Sequence, residues 1–259
     1  MVLETARNPR VSGARRLARR AARREEGRFL VEGPAGVAEA LADPRGLVEL
    51  FATPEAADRH ADLVARAARV TLVAPKVMDA LASTVSPQGL VGVAETRDVP
   101  LSDVLAARPR LVAVLAHARD PGNAGTILRT ADAAGADAVV FPDDSVDPYN
   151  PKCVRSSAGS VFHVPFVEGG AVADVVAALR AGGLRVLATT AGAGTSLDDA
   201  DLSGPTAWLF GNEAWGLAPE DVALADERVR VPIYGRAESL NLATAAALCL
   251  YASARAHRG

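Results

Sequence analysis

From Leu111 to Ala256 the chain repeats one pattern: a short apolar run, a turn, and then a longer segment whose apolar residues return at helical spacing. Runs at Leu111–Ala116, Ala138–Phe141, Val161–Val167, Arg185–Thr189, Ala207–Phe210 and Val229–Ile233 have the length of strands. Segments at Gly125–Ala134, Pro151–Ser157, Val172–Ala181, Pro219–Leu224 and Leu242–Ala256 read as helices. Apolar runs without polar alternation suit strands covered on both faces, and strands and helices in alternation suit parallel pairing. The pattern predicts an α/β domain with a parallel sheet over residues 111–259.

Residues 1–95 predict a second, smaller α/β domain. Candidate strands are Phe29–Glu32, Leu47–Ala52, Val70–Val73 and Leu90–Ala94, and candidate helices are Gly36–Leu41, Pro54–Ala67 and Pro75–Ala82, with Pro34, Pro44, Pro54 and Pro75 between them. Thr96 to Arg110 is polar, holds two prolines and lacks a sustained apolar pattern, so 96–110 reads as a linker. No fixed-period repeat appears in either half.

The formal net charge of −3 conceals a segregation: residues 1–30 hold nine arginines against three glutamates. Arg15, Arg16, Arg19, Arg20, Arg23 and Arg24 follow a repeat of four, which on one helix spreads them over about half of its surface. Acids are nearly absent between Arg7 and Arg24, so salt-bridge lacing does not account for the run, and the arm reads as a phosphate contact. Cys153 and Cys249 are far apart with no ligand-spaced partner, and His60, His117, His163 and His257 are scattered, so buried thiols and no metal are expected. The longest apolar stretch, Leu242–Ala252, falls short of the ~20 residues of a membrane span, and no apolar segment follows the basic start, so the expectation is a cytoplasmic protein.

Three motifs carry the chemistry. Asn123-Ala-Gly-Thr-Ile-Leu-Arg129 opens a helix after an apolar strand, and Asn123 is placed to cap it. Leu209-Phe-Gly211-Asn212-Glu213-Ala-Trp-Gly ends a buried strand, where Gly211 leaves backbone open to a cofactor. Val231-Pro-Ile233-Tyr-Gly-Arg-Ala-Glu-Ser239-Leu240-Asn241 leads into an apolar helix whose cap falls at Ser239 or Asn241. Thr190 and Gly192, in Thr189-Thr-Ala-Gly-Ala-Gly194, follow a further strand.

In order, spacing and content these motifs resemble the three signatures of the SpoU (TrmH) branch of the SPOUT RNA methyltransferases. The resemblance implies transfer of a methyl group from S-adenosylmethionine to a ribose 2′-hydroxyl of RNA, within a domain tied in a deep trefoil knot. It implies Asn123, Arg129, Glu213, Ser239 and Asn241 at the catalytic centre, and Thr190, Gly192, Gly211, Asn212, Val231, Ile233 and Leu240 around the cofactor. It further implies a homodimer in which residues like Asn123 and Arg129 of one subunit meet cofactor loops of the other. The N-terminal half, with Arg23-Arg-Glu-Glu-Gly-Arg-Phe-Leu-Val-Glu-Gly33, resembles the ribosomal-protein-like substrate domain of the rRNA-directed members. Chemically, Arg129 is expected to hold phosphate and polarise the hydroxyl, since guanidinium rarely yields a proton. Glu213, if its pKa were raised by burial, would be the proton acceptor.

Other readings remain. A tRNA substrate, or RNA binding without methyl transfer in ribosome assembly, would use the same fold. A dinucleotide site at Gly192-Ala-Gly194 would need glycine at 197, where Leu197 stands, and no phosphate-loop pattern occurs.

Overall fold

The computed structural model describes residues 1–192 and 194–258. Contacts divide the chain into two compact units, residues 1–97 with 149–162, and residues 98–148 with 163–259. The segment 149–162 thus packs with the first unit, although its sequence position suggests the second.

In the first unit, two short helices, α1 (Pro9–Arg16) and α2 (Arg20–Glu26), precede β1 (Arg28–Glu32). Then follow α3 (Gly33–Ala42), β2 (Glu49–Ala52), α4 (Pro54–Arg59), α5 (Ala61–Arg66), β3 (Val70–Leu72), α6 (Pro75–Leu81) and β4 (Leu90–Glu95). The sheet order is β1-β4-β2-β3, antiparallel except for β2 against β3. The single helix expected over Pro54–Ala67 is broken at His60, which leaves helical geometry at φ −120°, ψ 44°.

The arginine run does not form the single helix that its spacing suggests. It breaks between Arg16 and Arg20, and Val11, Ala14 and Leu17 enter a core with Leu30, Phe51, Val73 and Met78. Arg23 is buried and donates Nη1 bonds to the carbonyls of Leu17 (2.8 Å) and Ala18 (2.9 Å), capping the break from within. Arg15 Nε donates to the Ala80 carbonyl (3.0 Å), and Arg16 pairs with Glu25 (3.1 Å) and Glu26 (3.7 Å). Acids beyond the run therefore lace part of it. Arg19 is exposed and its guanidinium has no partner among the described residues. Helix Pro151–Ser156 returns to this unit, where Arg155 reaches Glu32 (3.3 Å).

The second unit begins with α7 (Leu101–Ala106), inside the stretch read as linker. Its Val104 is buried, and Val99, Leu101 and Leu105 pack on the same core, a pattern too short to register as periodic. Next come β5 (Leu111–Leu115), α8 (Pro121–Ala134) and β6 (Ala138–Phe141). Pro151–Ser156 counts as α9 in chain order, followed by β7 (Phe166–Glu168), α10 (Val172–Ala181), β8 (Arg185–Thr189) and β9 (Thr195–Ser196). The unit closes with β10 (Thr206–Phe210), α11 (Pro219–Leu224), β11 (Glu227–Arg230) and α12 (Leu242–Ala256). The strand expected over Val161–Val167 is reduced to Phe166–Glu168, because Ser160–Phe162 form a 3₁₀ turn and Pro165 precedes the pairing. The last strand stops at Arg230, ahead of Pro232.

All seven strands pair in parallel, in the order β7-β6-β5-β10-β8-β11-β9. β5 and β10 lie at the centre and are buried along their whole length, as expected of strands covered on both faces. α12 packs against α8, and Trp208 of β10 is fully buried, its indole Nε1–H donating to Ser253 Oγ of α12 (2.9 Å). Chain order reverses direction across the β5–β10 pair, so ligands are expected in the crevice beyond the carboxyl ends of those strands. Among the described residues no helix is long and apolar enough to cross a membrane.

Candidate active site

The loops that follow β5, β10, β8 and β11 leave the same edge of the sheet, and they carry the three motifs and the Thr190 loop. The first of them determines how Asn123 is used. α8 starts at Pro121, two residues before Asn123, and its cap is Asp120, whose side chain accepts the Asn123 N–H (2.8 Å). The expectation that Asn123 caps the helix is therefore wrong, and the Asp-Pro pair ahead of it was the readable signal. With its backbone satisfied by Asp120, the Asn123 side chain is free to work elsewhere.

It joins the other two motifs. Asn123 Nδ2 donates to Glu213 Oε1 (3.3 Å), and Asn123 Oδ1 accepts from Asn241 Nδ2 (3.0 Å). Asn241 caps α12, its Oδ1 accepting the N–H groups of Ala243 (2.9 Å) and Thr244 (3.3 Å), so its amide is fixed from both ends. Ser239, the other candidate cap, is exposed and makes no side-chain hydrogen bond among the described residues. Asn123, Glu213 and Asn241 thus meet within one chain; a second subunit is not needed to bring the first motif to the loops of the other two.

Glu213 also takes the N–H groups of Arg119 on Oε2 (3.1 Å) and Asp120 on Oε1 (3.1 Å). Partial burial works against ionisation, but donation from its own backbone, from Arg119 and Asp120, and from Asn123 outweighs it and holds the carboxyl below its usual value of 4.5. This corrects the expectation of a raised pKa. Burial does not govern here because donors arriving from a distant loop fill both oxygens.

Asn212 is buried and ties the same two loops together, donating Nδ2 to the His117 carbonyl (2.8 Å) and accepting the Ala214 N–H (2.8 Å). His117 sits at φ +57°, a conformation that a non-glycine residue rarely adopts, and its Nε2 lies 3.1 Å from the buried Asp221 carboxylate. None of His117, Arg119 or Asp120 was singled out from sequence, since their contacts span more than 90 residues. Gly211 is needed for a reason other than an open backbone: a Cβ there would lie 2.2 Å from Gly216 C and 2.3 Å from Leu217 N. The motif's own returning chain fills the space that had been assigned to cofactor.

Arg129 is exposed on α8, six residues beyond Asn123, about 9 Å along the axis and about 120° round it. Among the described residues its guanidinium has no partner, so the structure leaves it outside the hydrogen-bonded group. Of the expected cofactor positions, the Thr190 N–H continues the β8–β11 ladder to Val229 (3.0 Å) and Gly192 is exposed. Val231 is half-buried, while Ile233 and Leu240 expose 37% and 36% of their surface. Ala193, within the Gly192-Ala-Gly194 loop, lies outside the described residues. Among the described residues no cluster of three or more His, Cys, Asp or Glu side chains is arranged to hold a metal.

A parallel sheet with backbone-rich loops and a fixed Asn–Glu–Asn group at its reversal point defines a cofactor-binding α/β domain. The SpoU rRNA Methylase family matches residues 110–251, and the MRM3-like substrate binding domain matches residues 8–92. The 23S rRNA (guanosine(2553)-2′-O)-methyltransferase RlmP of Bacillus subtilis is 34% identical over 249 residues, 96% of this chain and 97% of that protein. A 23S rRNA (uridine(2479)-2′-O)-methyltransferase of Streptomyces viridochromogenes is 41% identical over 140 residues, 52% of this chain and 49% of that one. Among solved structures, the AdoMet-bound rRNA methyltransferase from Sinorhizobium meliloti superposes with a TM-score of 0.85 at 35% identity, covering 98% of both chains. The chain belongs to the SpoU rRNA methylase family.

Proposed function

We propose that this protein transfers a methyl group from S-adenosylmethionine to a ribose 2′-hydroxyl of ribosomal RNA. The observation that carries the reading is the Asn241–Asn123–Glu213 hydrogen-bonded group, built from all three family motifs at the carboxyl edge of β5 and β10. The surroundings fit the cofactor: Ile233 and Leu240 offer exposed apolar surface for an adenine ring. Thr190, Gly192, Gly211, Asn212, Val231, Ile233 and Leu240 would hold it, Gly211 and Asn212 by shaping the turn. When bound, S-adenosylmethionine supplies an electrophilic methyl group on a positive sulfur.

The chain's own residues orient the other reactant. Arg129, a permanent cation, grips the phosphate next to the target ribose and lowers the pKa of the hydroxyl electrostatically. Asn123, fixed by Glu213 and Asn241, presents its second Nδ2 proton to the ribose, and Ser239 lies on the adjoining loop as a further hydroxyl contact. Glu213 remains ionised and acts by holding the 117–120 loop, and the hydroxyl proton leaves to solvent water at this exposed edge as the oxygen is methylated. Such orientation alone can lower a barrier by ~7–11 kcal/mol.

Ribosomal RNA is favoured over tRNA by the substrate-domain match over residues 8–92 and by the 23S rRNA targets of the relatives. RNA contact by the N-terminal arm is assigned to Arg15, Arg16, Arg19, Arg20 and Arg24, with Arg23 structural. The same reading includes a trefoil-knotted path over residues 111–259, a cytoplasmic location and a two-fold homodimer. Leu248 and Tyr251, 45% and 53% exposed and about one turn apart on α12, suit a face covered by the second subunit. Incubation with methyl-tritiated S-adenosylmethionine and separate pools of protein-free rRNA, ribosomal subunits and tRNA tests the assignment. Label confined to tRNA, or absent from all three with cofactor binding intact, would contradict it.

A further inference from the structure

The tip of the second motif holds up a side chain that its own chain leaves uncovered. Asn212 N–H donates to the Gly216 carbonyl (2.8 Å), Gly216 N–H returns to the Asn212 carbonyl (2.9 Å), and Asn212 Oδ1 takes the Ala214 N–H. Gly216 closes the turn at φ +75°. This pinned turn presents Trp215 with 62% of its surface exposed. An indole left in water on a rigid turn contributes little to the fold, and its apolar face is available to a ligand.

A cation lies close by. Arg119 is exposed, its N–H is held 3.1 Å from Glu213 Oε2, and its guanidinium has no partner among the described residues. Trp215 stands two residues beyond Glu213, a span of about 7 Å at most. An aromatic face and a permanent positive charge are therefore rooted on two loops that the Glu213 carboxylate locks together. Sites for unpaired RNA combine these two features, a ring on which a base stacks and a cation for the adjoining phosphate.

We propose that Trp215 and Arg119 form a docking platform for one nucleotide of the RNA, the indole stacking on its base and the guanidinium pairing with a neighbouring phosphate. The proposal rests on the RNA-methyltransferase reading above and adds the groups that seat the substrate. Stacking accepts any base, so the platform serves to hold a nucleotide out of its helix rather than to identify it.

The chain has two tryptophans, and Trp208 is fully buried, so the part of the emission open to acrylamide reports Trp215. In the RNA-free protein that part is expected to be quenched by acrylamide and to become protected on addition of protein-free 23S rRNA, with Trp215→Phe as the blank. In methyl transfer, Trp215→Ala is expected to raise KM for this RNA by roughly 5- to 150-fold, leaving S-adenosylmethionine affinity unchanged, whereas Trp215→Tyr retains most of the affinity. Arg119→Ala is expected to lower the slope of log affinity against log salt by about one. Wild-type KM in Trp215→Ala, or an indole already shielded from acrylamide before RNA is added, as in a subunit interface, would overturn the platform. Absence of methyl transfer by the wild-type protein would instead strike the enzyme reading, and the quenching experiment would still decide the platform.

Discussion

Replacing Glu213 by glutamine tests the division of labour within the site. The carboxylate accepts the Arg119 N–H on one oxygen and the Asp120 N–H and Asn123 amide on the other. Whichever way a glutamine amide lies, its NH₂ faces a donor, and at least one bond is lost. Bonds to a charged acceptor are worth ~1.5–3 kcal/mol when dry and less where water reaches them, so for this exposed group a loss of about 1–2 kcal/mol in loop order is expected. If that order is needed in the transition state, kcat/KM falls roughly 5- to 30-fold. The pH behaviour separates this from base catalysis by a carboxyl whose pKa is raised into the neutral range. The folded carboxyl lies below 4.5, so its contribution to stability is present above that value and is lost as pH falls through the folded pKa. Wild type is expected to lose stability on that acid side, and Glu213→Gln to lack this component. Between pH 6 and 9 the group stays ionised, so the rate profiles of the two proteins should be parallel and displaced. Stopped-time methyl transfer across that range, with urea melts at pH 3–7, measures both. A variant that abolishes an ionisation between pH 6 and 8 in kcat would refute the positioning role and restore Glu213 as base.

Arg23→Ala should destabilise the first unit by about 2–3 kcal/mol in urea, because a buried cation with two carbonyl acceptors is lost. Arg19→Ala should leave stability unchanged and reduce the salt slope of RNA binding, whereas deleting residues 1–24 would remove Val11, Ala14 and Leu17 from the core and unfold the unit. Gly211→Ala should cost about 2–3 kcal/mol by driving a methyl group into the Gly216–Leu217 backbone, and should abolish cofactor binding as seen by calorimetry. Both cysteines are buried and burial pushes the Cys249 thiol up to about 12, so thiol reagents at pH 8 should label neither until denaturant unfolds the chain.

The parallel sheet was legible because its signal is local: Val172–Ala181 and Leu242–Ala256 follow their apolar spacing to the residue. What misled was chemistry set by distant or competing partners. Arg23 is one of six arginines on a regular repeat, yet the break at Leu17–Arg19 creates free carbonyls that take its guanidinium inward. Asn123 has the composition of a cap, but Asp120 followed by Pro121 wins because proline suits the first helical position, where its missing N–H leaves no donor wanting. Asn123, Glu213 and Asn241, one from each motif, join in one hydrogen-bonded group, while the state of Glu213 depended on N–H groups more than 90 residues away. No periodicity carries that information.

Everything above turns on methyl transfer to ribose at the site built by the three motifs. Its most direct measurement is mass spectrometry of nucleosides from 23S rRNA incubated with S-adenosylmethionine and either the wild-type protein or Arg129→Ala. One 2′-O-methylated nucleoside is expected, formed at a position that resists alkaline cleavage and missing with the variant. A methyl group found on a base, or a 2′-O-methyl product formed equally well without Arg129, would contradict it.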